Sequence, residues 1–443
     1  MNKSQLKQRV CDAIDYNREK IISIGEEIFS NPELGYKEIK TAGLVSREMK
    51  KIGLEVEENI AVTGVKASLP GERPGPVIAV LGELDAIICR EHEAADKETG
   101  AVHACGHNVQ IAAMMGAAIG LTVSKVLDEL DGSVEFMAVP AEEYVELEYR
   151  GTLKEKGEIE YYGGKQELIK RGYFDDVDVA MMIHSLNLQG DKKVIVGGTG
   201  NGFIGKNVQF IGKESHAGSA PEMGVNALNA AMIAIGNIHA QRETFPDQER
   251  VRVHPIITKG GDIVNVVPAD VRMETYVRAR TIEGIRTSNE KVNRAIIAGG
   301  YAVGAGVKIS ETPGYLPLLR TAELDELFRN NAKEFVDESQ IIEGADFTGS
   351  FDFGDVSHLI PALHPFIGGV EGNLHTRDFK IVDKDTAYIL PAKAMAMTVI
   401  DLLFDGASVA KSIKENFKPA MTKEEYLAYL EENSRIIEKS EIG

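Results

Sequence analysis

The stretch His103-Ala104-Cys105-Gly106-His107-Asn108 runs straight into residues 109 to 123, an Ala-, Met- and Ile-rich text that reads as a helix. An apolar run, Val-Ile-Ala-Val-Leu-Gly at 77 to 82, precedes it, and a second strand pattern at 133 to 139 follows. Strand, helix and strand in this succession are the unit of an α/β domain with a largely parallel sheet. The same hexapeptide sets a thiol and an imidazole two positions apart at a helix N-terminus. There the helix field favours a thiolate, and a bound metal removes the proton outright. Cysteine sulfur with histidine nitrogen suits Zn(II) and its first-row neighbours.

Outward from this stretch the alternation continues. The spacing predicts one amphipathic helix over 4 to 30, stopped by Asn31-Pro32, and another over 38 to 52, then a strand at 64 to 69. After 139 come a helix at 164 to 171 and a strand at 178 to 183. Residues 198 to 314 change rhythm and read β-α-β-β-α-β, the order of a ferredoxin-like module. Gly197-Gly198 and Pro313-Gly314 are its expected hinges. The expected organisation is therefore one α/β domain from 1-197 and 315-443, with an inserted α+β domain at 198-314. Within the returning part, helices are predicted at 321 to 336 and 384 to 404, a strand near 364 to 368, and an amphipathic helix from 422 to 442, packed on the main domain.

A chain of 443 residues exceeds a comfortable single core, which agrees with two domains. No apolar run reaches the roughly 20 residues of a membrane span, and the N-terminus lacks the apolar segment of a signal peptide. A cytoplasmic protein is the expectation. Three cysteines, at 11, 89 and 105, build no disulfide framework in so long a chain, and a reducing compartment leaves thiols free for metal. Cys11 and Cys89 read as structural. The formal charge of −19 argues against nucleic acid and anionic membrane as partners. An anionic substrate must then meet local positive charge from a metal or an arginine.

Open α/β sheets carry their ligands at the carboxyl ends of strands. Glu83 and Asp85 follow the strand at 77 to 82, Glu142 and Glu143 follow 133 to 139, His184 follows 178 to 183, and His375 comes after the strand and Gly-rich loop at 364 to 373. Singly, each is an ordinary turn or core residue. Jointly, a cysteine, histidines and carboxylates at strand ends match the ligand demand of a one- or two-metal hydrolase.

Six stretches, in order, carry a resemblance over nearly the whole chain. They are Gly82-Glu83-Leu84-Asp85-Ala86, the hexapeptide at 103 to 108, Pro140-Ala141-Glu142-Glu143, Gly212-Lys213-Glu214-Ser215-His216-Ala217, Asn265-Val266-Val267-Pro268 and Gly372-Asn373-Leu374-His375. Together they resemble the di-metal amidohydrolase family of aminoacylases, hippurate hydrolase, indole-acetyl-amino-acid hydrolases and p-aminobenzoyl-glutamate hydrolase. The resemblance implies two divalent metal ions, Zn, Mn, Co or Ni, bridged by Cys105, with His107, Glu143, His184 and His375 as the other ligands. It implies Glu142 as general base, with Asp85 and His216 as further catalytic residues. The inserted domain is expected to be a lid and the interface of a homodimer, with His216 reaching the partner's site. Asn265 and Arg278 or Arg280 are expected on the substrate carboxylate.

The implied reaction is hydrolysis of an N-acyl or aroyl amino acid. A dipeptidase or carboxypeptidase of the same family is the alternative, and a non-catalytic binding member a remote one. The chain departs from the family pattern at Asn108, where Asp is common, at Gln110, where one branch has His, and at Glu83-Leu84-Asp85, where many relatives show Asp-Met-Asp. The stretch 349 to 357 looks closer to the aminobenzoyl-glutamate branch. These departures leave the acyl group open.

Overall fold

The computed structural model describes residues 1–344 and 346–439. Two compact units emerge: Met1–Thr199, Leu319–Asp346 and Asp355–Ala420 form the first, and Gly200–Leu318, Phe347–Gly354 and the described residues after Ala420 form the second.

The first unit is built on a six-stranded sheet in the order Glu55–Ile60, Gly64–Pro70, Asp131–Val139, Arg73–Glu83, Val179–Met181 and Ala362–Leu363. Arg73–Glu83 runs parallel to both neighbours, and Val179–Met181 is parallel to Ala362–Leu363. The first two strands form an antiparallel hairpin that joins Asp131–Val139 antiparallel. A smaller four-stranded sheet orders Ile341–Glu343, Val194–Val196, Phe366–Ile367 and His184–Ser185.

The helix His107–Ser124 is buried on nearly every face, because Ala112, Ala113, Gly116, Ala117, Ala118 and Gly120 leave room for neighbours all round. It shares one core with Val10, Ile14 and Ile21 of the N-terminal helices and with Met395, Val399 and Ile400. The stretch expected as a single helix over 4 to 30 is two, Lys3–Tyr16 and Arg18–Phe29, broken at Asn17. The last long helix stops near 404, as expected, because Phe404–Ala407 leave helical φ/ψ before a second helical segment runs on to Asn416. The kinked run Asp385–Asn416 is long and apolar enough, by length and composition, to cross a membrane, but 89% of its most apolar window is buried inside the protein, as for a core helix.

The second unit has strand order Arg252–Val253, Asp270–Ala279, Gly202–Ile211, Gly306–Pro313 and Ile436–Lys439, with Ile256–Lys259 also on Asp270–Ala279. Helices Ala227–Gln241 and Ile282–Tyr301 cover it, around Val208, Phe210, Ala230, Ala234, Met273 and Ile296. The tail corrects the sequence reading. Only Lys423–Glu432 is helical, and Ile436–Lys439 adds an antiparallel edge strand to Gly306–Pro313, within this unit and not the first. Residues 440 to 442 of the expected helix lie outside the described residues.

A buried polar knot ties that tail down. Glu311, on Gly306–Pro313, accepts from Lys206, from Asn289 (2.7 Å) and Asn293 (2.8 Å), and from Arg435 of the tail. Burial opposes its charge, yet Lys206, Asn293 and Arg435 hold the carboxyl down at about 2. Burial likewise pushes Lys206 down, to about 8. Glu311→Gln leaves the Lys206 ammonium buried beside a neutral amide, which costs about 3 kcal/mol or more. The expected result is a lower unfolding midpoint of this unit in denaturant, and a variant within about 0.5 kcal/mol of the parent would be surface-like and contrary to this account. Because Glu311 is depressed in the fold, the stability it contributes is present above the ordinary carboxylate range and is lost as pH falls from about 4.5 toward 2.

Candidate metal centre

Cys105 and His107 flank Gly106, which sits at φ +80. A Cβ there would also meet the Ser185 Oγ at 2.7 Å, so only glycine lets this turn lie against the strand that carries His184. His107 Nδ1 lies 2.8 Å from the Asp85 carbonyl, which can only accept. Nδ1 therefore carries a hydrogen, which leaves Nε2 as the nitrogen that would ligate a metal. His184 is fixed the same way, with Nδ1 on the Ser185 carbonyl at 2.8 Å. Asp85, fully buried, also accepts the Glu143 amide at 2.8 Å, so one carboxylate locates two neighbours of the site.

The donors converge. His375 Nε2 is 3.2 Å from the Cys105 sulfur and 2.9 Å from Glu143 Oε1. His184 Nε2 is 3.6 Å from the same sulfur. Glu142 Oε2 and Glu83 Oε2 lie 3.7 and 3.1 Å from His107 Nε2. Among the described residues, three groups have all ligand atoms within 4.8 Å: Cys105, His107 and His184; Cys105, Glu143 and His375; and Glu83, His107 and Glu142. Cys105 belongs to two of them.

Two observations test the fit of metal ions. Buried His107 Nε2 and Glu143 Oε1 lack hydrogen-bond partners although each has a polar atom close by. Atoms that face one another at such distances without hydrogen-bond geometry are aimed at a common point, as ligands are. The electrostatics agree. Burial and Glu143 push the Cys105 thiol up, but the His375, His184 and His107 charges pull it down to about 6. Burial opposes the charged forms of His107 and His184, yet Glu83 and Cys105 on the first and Cys105 on the second raise both. Anionic donors that draw protons onto neighbouring imidazoles are the donors a divalent cation displaces those protons from. One thiolate, three imidazoles and carboxylates fit two divalent ions of the Zn, Mn, Co or Ni kind.

The Glu142-Glu143 pair rides on a strained turn. Ala141 has φ +54, its amide donates to Glu38 at 2.8 Å, and buried Arg150 donates to the carbonyls of Ala141 and Glu143 and, at 2.7 Å, of Tyr162. Gly164 closes the turn from below, where a Cβ would stand 1.7 Å from the Pro140 carbonyl oxygen.

Cys105, His107, Glu143, His184, His375, Asp85 and Glu142 thus come together in the first unit. His216, Asn265, Arg278 and Arg280 belong to the second. There His216 is exposed, its Nδ1 accepting the amides of Gly218 and Ser219, and the Ala217 amide donates to the Asn265 carbonyl at 2.9 Å. Arg278 donates to Ser350 Oγ at 2.6 Å beside the rings of Phe203 and Tyr276, and Arg280 is exposed. Sequence reasoning grouped Glu83 with the strand-end carboxylates without a role of its own, and gave no role to Lys165, Gln110, Glu38 or Arg150. Gln110 alone carried a signal, one helical turn after His107.

An α/β sheet with a shared thiolate between imidazole and carboxylate donors defines a metallohydrolase. The chain belongs to peptidase family M20/M25/M40, whose signature matches residues 79–396, and it is accordingly a hydrolase of amide or peptide bonds. It is 30% identical to the Xaa-Arg dipeptidase of Mus musculus over 95% of this chain and 94% of that protein. It is 26% identical to the IAA-amino acid hydrolase ILR1-like 4 of Arabidopsis thaliana over 79% and 77% of the two chains. Its fold matches a dinuclear metal binding peptidase of the M20 family from Bacillus subtilis with a TM-score of 0.65, at 21% identity over 88% and 99%.

Proposed function

We propose that the protein is a two-metal amidohydrolase that releases a free amino acid from a small N-acyl or N-aroyl conjugate. The observation that carries this reading is the Cys105 sulfur shared by two donor groups with the Glu142 carboxylate alongside. When bound, two divalent ions supply a water of lowered pKa and polarise the amide carbonyl. Glu142 takes the water's proton on its carboxylate and returns it to the leaving nitrogen. Asp85 keeps His107 in the one tautomer whose lone pair faces the site.

The family resemblance supports reading the second unit as a lid and homodimer interface, with His216 serving the partner's site and Asn265 and Arg278 or Arg280 taking the substrate carboxylate. Exposed Met232 and Ile233 on the outer helix and exposed Ile256 and Ile257 on the edge strand support an interface there. Three free cysteines support a cytoplasmic setting.

A dipeptide substrate is the second reading, favoured by the likeness to Xaa-Arg dipeptidase across nearly the full chain. Metal analysis of the purified protein, then hydrolysis before chelation, after it and after re-metallation, tests both. The panel sets acetyl-, benzoyl- and indoleacetyl-amino acids against dipeptides ending in Arg or Lys. Chelator-sensitive release of amino acid from the conjugates is the expected result. Turnover of dipeptides alone replaces the acyl reading with the second. No bound metal, and no turnover with added Zn, Mn or Co, leaves a binding protein.

A further inference from the structure

We propose that Glu83 is a metal ligand beside His107, with which it shares a donor group, and that Lys165 and Gln110 hold it in place. This rests on the two-metal reading above. Glu83 ends the strand Arg73–Glu83 and is 1% exposed. Its Oε1 pairs with the fully buried Lys165 ammonium at 2.5 Å, its Oε2 accepts from the Gln110 amide at 2.8 Å, and its own N–H donates to the Gln110 oxygen at 3.1 Å.

So fixed, Oε2 stands 3.1 Å from His107 Nε2. Asp85 has already engaged the Nδ1 hydrogen, and Nε2 makes no hydrogen bond. The two atoms face one another in a dry interior, so a positive charge must lie between them, either a proton on Nε2 or the metal ion that displaces it. Neighbouring ligands roughly 2.0–2.2 Å from one metal stand about 3.0–3.5 Å apart, so the observed separation is that of two ligands on one ion.

Charge supports the same assignment. Cys105, Glu143 and Glu83 make three anionic donors around two dications, and the buried Lys165 offsets the third. A lysine ammonium is costly to bury, and here its partner carboxylate has one oxygen on Lys165 while the other is turned to the metal group. With Glu83 as the fixed carboxylate beside His107, Glu142 is left for proton transfer.

The test is metal stoichiometry and affinity, by equilibrium dialysis against Zn(II) or Co(II) with elemental analysis. Wild type is compared with Glu83→Gln, Glu83→Asp and the double variant Glu83→Gln, Lys165→Met. The double variant removes both charges, so no ammonium is stranded and its folding is checked by its melting curve. Wild type is expected to hold two ions, whereas each variant holds one tightly and the second at least about 10- to 100-fold more weakly. The Co(II) thiolate band of Cys105 persists, since the remaining ion keeps its sulfur. Two ions at parent affinity in the double variant overturn the assignment of Glu83 alone. A wild-type protein that binds none overturns it together with the metallohydrolase reading.

Discussion

Glu142→Gln is expected to keep its full metal complement while kcat for amide hydrolysis falls by about 10³-fold or more, near the upper end of what general base catalysis contributes. Glutamine has the shape of glutamate and can accept a hydrogen bond, but it cannot take a proton from water or return one to a leaving nitrogen. The residue is buried at 5% exposure, and its Oε2 lies 3.7 Å from His107 Nε2, farther than Glu83 does. The turn that carries it is held through backbone groups, the Ala141 amide on Glu38 and the Ala141 and Glu143 carbonyls on Arg150, so an amide at 142 leaves that turn intact. Elemental analysis and steady-state kinetics on one preparation separate the roles. Parent turnover would reject the base, and loss of an ion would make Glu142 a ligand instead.

Much of this centre is legible in the sequence because it follows from chain direction. In a parallel sheet every strand delivers its C-terminal residues to the same edge, so the sequence alone groups Glu83 and Asp85, Glu142 and Glu143, and His184. The helix His107–Ser124 was equally plain, since an apolar text with small residues on every face has no other use in a soluble core. The β-α-β-β-α-β run of the second unit likewise shows in its alternating periods.

What stayed hidden depends on distant partners. Lys165 opens an ordinary amphipathic helix, and nothing near it in sequence announces a carboxylate 82 residues away. Arg150 sits among charged residues of the kind that usually face water, yet it is fully buried because three carbonyls and the Tyr36 ring surround it. The segment Ile436–Lys439 mixes apolar and charged residues in a way that suits a helix end as well as an edge strand. Its choice is made by the free edge of Gly306–Pro313 and by Arg435 on Glu311, more than 120 residues back. Asn17 breaks the first helical stretch at a residue whose side chain bonds the Ala13 carbonyl of the turn before it, a local competition that apolar spacing does not record.

Cys105→Ala is expected to be the most damaging single change to metal binding, because its sulfur belongs to both the His107–His184 and the Glu143–His375 groups. Removing a ligand from one group weakens one ion, whereas removing a shared thiolate takes an anionic donor from both. His375→Ala is the matched control. That imidazole is the exposed member of the set, and it meets only Glu143 and Cys105 among the donors. Dialysis followed by elemental analysis should find both ions weakened by at least about 100-fold in Cys105→Ala but only one in His375→Ala, and hydrolysis reduced by about 10³-fold or more in the cysteine variant. The Co(II)-substituted forms add an independent reading. A thiolate-to-metal absorption band should be present in wild type and in His375→Ala, and absent in Cys105→Ala. If the cysteine variant retains one ion at parent affinity, the sulfur serves a single metal, and the centre is two adjacent sites instead of one bridged pair.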